Sequence, residues 1–245
     1  MKIFASGSCR LVTTIGRGSD NVIPIHSMFY NFSGINFLGK LHNTKQHIQF
    51  IQYLKDEIVI PEDILPKFLT SYNTFSLGCN CEDLSLIPSK KESIRNQFGE
   101  CEWYLFEVCS LKLYKKDGFQ VQFEHTNEYT CEIQTEEDLL EDLQKIREII
   151  PREKKILFQV HFRPNIMYKN PSMAIEKREI IFRVINDFCK KTENTFVYDP
   201  SVILNDGKYV VYDGAHFNEE GHLKSFEYIY ENFLSKYGSK NSLSS

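Results

Sequence analysis

Two periods of apolar and polar residues alternate along this chain, and the switches between them mark out strands and helices. Lys2-Ile3-Phe4-Ala5 runs straight into Gly7-Ser8-Cys9-Arg10, which reads as a short buried strand ending in a sharp turn. Three more apolar runs have the length of buried strands: 102–110 around Trp103-Tyr104-Leu105-Phe106, 155–161, and 195–199. The stretch 119–123 alternates with a period of two, as a half-exposed strand does. Helical spacing runs from His42 through Leu54, with Asn43 or Thr44 as N-cap. It returns from the capping-box start at Thr135 to about Ile150, and again over 172–190, where Ile175, Ile180, Ile181, Val184, Ile185 and Phe188 follow the 3.6 period. Pro61 opens a further helical piece, and a last helix follows 212–218. Between these, 11–16 carries the beginning of a helix and 16–21 reads as loop. The run 22–26 reads as a short strand that Pro24 demotes to an edge or an irregular segment, while 34–39 and 77–81 are loop and turn.

Strands alternating with helices predict an α/β fold: three layers, α/β/α, around a mostly parallel sheet. In such sheets the ligand sits outside the carboxyl ends of the strands. Cys9, Ser110, His161 and Arg163 all fall at or just past those ends. A length of 245 residues suits one such core, so a single domain over 1–238 is expected, with 239–245 as a polar tail or linker.

Composition narrows the partners. A net charge of -4 with dispersed basic residues gives no footprint for nucleic acid, and no apolar run reaches the length of a membrane span. The first residues are too soon interrupted by Gly7 and Arg10 for a leader core. Seven cysteines without framework spacing point to a reducing, cytoplasmic setting. Cys79 and Cys81 have no second pair or histidine at ligand spacing, so no metal is expected.

The candidate chemistry gathers at the two ends of the chain. Cys9 stands after a glycine turn where a strand gives way to a helix N-terminus, a place that lowers a thiol's pKa and suits an oxyanion. Ser8 is its rival if the turn is shifted by one residue. Asp213 and His216, three apart, are either ordinary Asp-Gly loop punctuation or, joined to the N-terminal turn, an orienting carboxylate and a base. His222 reads as a helix-surface residue without a role. His161, Arg163 and Asn165 are either substrate contacts or structural polar groups at the exit from a strand. Gly39, Lys40, His42, Asn43 and Lys45 offer amides and counter-charge beside a helix start, or else a solvated helix face. The glycines form neither a dinucleotide nor a P-loop pattern.

A nucleophile turn first and Asp-x-x-His last resembles the SGNH/GDSL hydrolase superfamily, whose sheet is flavodoxin-like. Gly7-Ser8-Cys9 stands where that superfamily has Gly-Asp-Ser, and this Gly-Ser-Cys start resembles the capsule-polysaccharide biosynthesis acetyltransferases. The segments 37–45, 106–112 and 161–165 look like a subset from giant DNA viruses associated with sugar biosynthesis and glycan transfer. The resemblance implies acetyl-coenzyme A as acyl donor and the amine or hydroxyl of a sugar as acceptor, with a nucleotide-linked amino sugar favoured. It also implies a glycosyltransferase as fused or working partner, and the host's cytoplasm if the chain is viral. His216 would be the base, Asp213 its orienter, and Cys9 either an acyl carrier or part of the oxyanion hole. Arg10, Ser110 and Lys112 would join the binding surface. Glu107, Ser110 and Lys112 follow the position where hydrolase relatives carry Gly-x-Asn-Asp. That Asn is missing here, which counts against the alternative reading as an esterase or sugar deacetylase using Cys9 or Ser8. A third alternative is a glycan-binding module without chemistry.

Overall fold

A computed structural model of the chain describes residues 1–21, 26–27, 41–69, 87–122, 129–162, 175–204, 208–210 and 216–237, with the side chains of 9, 17–21, 26–27, 87–90, 93 and 175–176 left out. Its centre is a five-stranded, all-parallel sheet of β1 (Lys2–Ser6), β2 (His26–Ser27), β3 (Trp103–Val108), β7 (Lys155–Val160) and β8 (Thr195–Tyr198). The strands lie in the order β2-β1-β3-β7-β8. The mixed α/β architecture expected from the periodicity is therefore present, and all four long apolar runs are strands of this sheet.

Successive side chains of a strand face opposite ways, and here both faces are covered. Phe4, Tyr104, Phe106, Ile156 and Phe158 pack on one face with side chains of α2 (Thr44–Leu54), α4 (Ile87–Phe98), α5 (Glu136–Ile149) and α6 (Ile175–Lys191). Ile3, Ala5, Trp103, Leu105 and Leu157 pack on the other with α1 (Cys9–Asn21) and α8 (Glu219–Ile229). The shorter α3 (Leu65–Leu69) and α7 (Ser201–Leu204) precede α4 and α8 in the chain. After α8 the helix continues through a π-helical stretch, Tyr230–Leu234, into α9 (Ser235–Tyr237).

Caps fix where the helices start. The Asn43 carboxamide accepts from the Gln46 amide at 2.9 Å, and Thr135 with Asp138 closes a reciprocal capping box. Three expectations need correction. Residues 16–21 are not loop: α1 runs through both glycines to Asn21, because Leu11 and Ile15 are buried against Phe226 and Ile229 and this packing outweighs glycine's poor helix propensity. The alternating run at 119 is only β5 (Phe119–Gln120) and lies outside the main sheet. It belongs to an antiparallel sheet with β4 (Lys112–Lys116) and β6 (Thr130–Ile133), in the order β5-β4-β6. Asp117 and Gly118, both at positive φ, make the two-residue turn between β4 and β5. His222 is buried, accepting no surface role: its Nδ1 lies 2.8 Å from the Thr14 hydroxyl, joining α8 to α1.

Among the described residues no helix is long and apolar enough to cross a membrane. Residues 22–25, 34–39, 77–81 and 238–245, each the subject of an expectation above, lie outside the described residues.

Candidate active site

The carboxyl edge of the sheet is built around one carboxylate. Glu107, the fifth residue of β3, is fully buried in a strand otherwise made of apolar side chains. Its Oε2 accepts from the Ser8 backbone amide at 2.7 Å and the Ser8 hydroxyl at 2.6 Å, and its Oε1 accepts from Arg10 Nε at 2.6 Å. Burial works against the charge. The Arg10 guanidinium, the Ser8 hydroxyl and nearby His42 outweigh it and hold the carboxyl below the usual range.

Gly7 is required by the same contact. A Cβ there would stand 2.6 Å from Glu107 Cβ, so glycine lets β3 approach the turn closely. Gly7 is not at positive φ, so it is the close approach of β3, and not a left-handed backbone, that calls for glycine here. Beyond it, the Ser8 carbonyl accepts from the amides of Leu11 and Val12 and starts α1, whose first residue is Cys9. The Cys9 side chain lies outside the described residues. Ser8 is 2 % exposed with its hydroxyl held by Glu107, so the rival nucleophile is committed to the turn.

On the opposite face of the sheet, His47 completes the framework. Its Nε2 donates to the Glu107 carbonyl at 2.8 Å, which leaves Nδ1 to accept from the Ser6 hydroxyl at 2.9 Å. Burial lowers the His47 pKa to about 4, so the ring is neutral at pH 7.

A second group of polar side chains borders this turn. Arg10 Nη2 donates to Cys109 Sγ at 3.2 Å, and burial followed by the Glu107 charge pushes that thiol up to about 12. His161, just past β7, donates from Nδ1 to the Phe162 carbonyl at 3.0 Å; burial first, then Arg10 and Arg178, hold it well below its ordinary value. Arg178, from α6, donates to the same carbonyl at 2.9 Å and stacks over the Phe162 ring. Burial and then Arg10 bring its pKa down to about 10. Gln159 pairs in register with Glu107 and is fully buried, and neither of its amide atoms has a partner among the described residues, a desolvation cost carried at this edge.

His216 reaches the same edge through its neighbour. Phe217 bridges to Val210 and packs its ring 5.7 Å from that of Phe162 at the carboxyl end of β7. Cys9 stands at the carboxyl end of β1, and β7 is two strands away, about 10 Å at ordinary strand spacing. His216 itself is half-buried.

No protein-family model matches the chain, and no curated protein matches it in sequence.

Of the residues singled out in the sequence, the backbone of Cys9 and the side chains of Ser8, Arg10, His42 and His161 come together here. Others have duties elsewhere. Asn43 caps α2 and donates to the Lys112 carbonyl at 3.0 Å. Lys45 pairs with Asp142 of α5 at 2.9 Å instead of offering its charge to the cleft. Ser110 accepts from the Lys112 amide, and the Lys112 side chain is exposed on β4. Gly39, Lys40, Arg163, Asn165 and Asp213 lie outside the described residues.

Sequence reasoning did not single out Arg178, Cys109, His47 or Ser6, and gave Glu107 no role. Glu107 carried a signal, being a charged residue inside a run whose length and apolarity demand burial on both faces. Arg178 carried none, since it is one of several charged residues in a long helix.

Proposed function

We propose that this protein is an acyltransferase of SGNH-like fold that moves an acetyl group from acetyl-coenzyme A to a sugar amine or hydroxyl, with a nucleotide-linked amino sugar as the favoured acceptor. The strand order β2-β1-β3-β7-β8 supports the fold part of this reading, because it follows the 2-1-3-4-5 order of a flavodoxin-like doubly wound sheet. Such a sheet takes its ligand where strand order reverses, beside β1 and β3, and Cys9 and Glu107 stand at that point.

The observation that carries the reading is that two distant segments lie along the carboxyl edge of one sheet, two strands apart: Cys9 opening α1 after β1, and His216 preceding the Phe217 that packs on Phe162 after β7. His216 takes the proton from the acceptor amine or hydroxyl as that atom attacks the thioester carbonyl. The tetrahedral oxyanion is held by the amide of Cys9, the first residue of α1. Collapse breaks the carbon–sulfur bond, and the coenzyme A thiolate leaves with the proton returned by His216. The resemblance assigns Asp213 to orient the imidazole. The guanidinium group of Arg178, bordering His161, suits the phosphates that coenzyme A and a nucleotide sugar share, while Arg10 is held by Glu107 and Cys109.

Thermal shift with coenzyme A, acetyl-coenzyme A and nucleotide amino sugars tests this. A ligand at a hundred times its Kd stabilises by about 2.7 kcal/mol, or roughly 5–10 °C in a domain of this size. His216→Ala should retain the coenzyme A shift and lose acetyl transfer. Absence of a shift with either coenzyme, together with acetate release from a model ester without coenzyme A, would overturn the proposal in favour of hydrolysis.

A further inference from the structure

We propose that Glu107 is the positioning residue of the turn that carries Cys9, gripping the chain on both sides of that cysteine with one carboxylate. The proposal rests on the reading of Cys9 as an active-site residue and adds how its backbone is held. Oε2 takes both donors of Ser8, the residue before Cys9, and Oε1 takes Nε of Arg10, the residue after it, all at 2.6 or 2.7 Å. These are charge-assisted bonds in a buried setting, the strongest class a side chain can offer.

The grip is itself braced. The main chain of Glu107 is fixed from the far face by the His47 Nε2 bond to its carbonyl, and His47 is fixed in turn by Ser6, the last residue of β1. Ser6, His47, Glu107 and Ser8 thereby close a ring that leaves β1 and returns to the chain two residues later. Gly7 lies inside that ring, with its α-carbon facing Glu107 Cβ and no space for a side chain. A surface carboxylate that merely capped α1 would need none of this. The arrangement instead fixes the backbone from residue 6 to residue 10 against β3.

Glu107→Gln tests the role, since it keeps the shape and removes the charge that accepts three hydrogens. In the folded variant, amide exchange of Ser8 and of the first turn of α1 should accelerate at least tenfold, with β7 and α5 unchanged. Alkylation of Cys9 by iodoacetamide, read peptide by peptide, should change at least fivefold while exposed Cys131 reacts as before. If acetyl transfer is present, kcat should fall about a hundredfold with the KM for acetyl-coenzyme A within twofold, a split that general destabilisation does not produce. Ser8→Ala, which removes one of the three bonds, provides the same local readouts at smaller amplitude should Glu107→Gln fail to fold. Exchange at residues 8–12 and Cys9 alkylation both unchanged in a folded variant would overturn the proposal. Local changes without any acetyl transfer would leave the grip standing and remove the acyltransferase reading.

Discussion

Replacing Gly7 by alanine adds a single methyl group, and the structure gives that methyl nowhere to go. Its carbon would lie 2.6 Å from Glu107 Cβ, 3.1 Å from Glu107 Oε2 and 3.3 Å from Leu11 Cβ. Carbon atoms in contact settle at about 3.5–4.0 Å, so the first clash needs roughly 1 Å of relief. Rotating the Glu107 side chain does not help, because turning about χ1 leaves Cβ in place. The backbones must separate, yet Ser6 is paired in register with Phe106 one residue away. Overpacking of this kind costs about 1–3 kcal/mol. Any separation also stretches the Ser8 bonds to Glu107, each a charged hydrogen bond contributing about 1.5–3 kcal/mol. A loss of about 3–5 kcal/mol is expected, seen in urea unfolding followed by circular dichroism, with a fall in Tm of roughly 10 °C. Gly99→Ala is the internal control: nothing lies within 4 Å of the added carbon, and its stability should stay within about 0.5 kcal/mol of the parent. A Gly7→Ala protein as stable as the Gly99→Ala protein would refute the close-approach argument.

His47 makes stability depend on pH in a defined direction. The unfolded ring takes its proton near 6.5 and the folded ring refuses it until about 4, so the unfolded state binds more protons in between. Stability is therefore lost as pH falls through that window, by about 3 kcal/mol in total from this group. In His47→Gln, which cannot titrate, urea midpoints should decline less steeply from pH 7 to pH 4.5, and a parent curve no steeper than the variant's would refute the assignment. Asn43→Ala should cost about 1–2 kcal/mol through loss of the α2 cap and the Lys112 bond while leaving any coenzyme A shift intact. Loss of the shift at unchanged stability would instead return Asn43 to the binding surface.

The sheet was legible because burial on both faces forces long apolar runs, and Trp103–Val108 and Lys155–Val160 are such runs. The helices at Thr44 and Glu136 were legible from their caps. What escaped reading was decided by contacts between distant residues. The glycines of α1 sit in helix because α8 packs on it, and α4 has only sparse apolar positions, among them Ile94 and Phe98, to mark its face. The small sheet did leave a local trace, Asp117-Gly118 between two polar-apolar runs, a hairpin signal that was not taken up. At the candidate site, the turn around Cys9 was visible as a motif. Its support was not, because Glu107 and His47 act across about a hundred and about forty residues of chain.

That separation bears on how the molecule is made. Ile3 to Ser6 pair with 103–106, so the strand at the heart of the sheet must await its neighbour while about a hundred residues are added. At about 5–20 residues per second on the ribosome, the delay is roughly 5–20 s. Throughout it Ile3, Phe4 and Ala5, all buried at the end, lack their main partner, which is when such a chain is most exposed to aggregation. Parallel pairing over such loops is slow to nucleate, so refolding from denaturant should run in the range of milliseconds to seconds or longer, and Glu107 can close on Ser8 only once that pairing has formed.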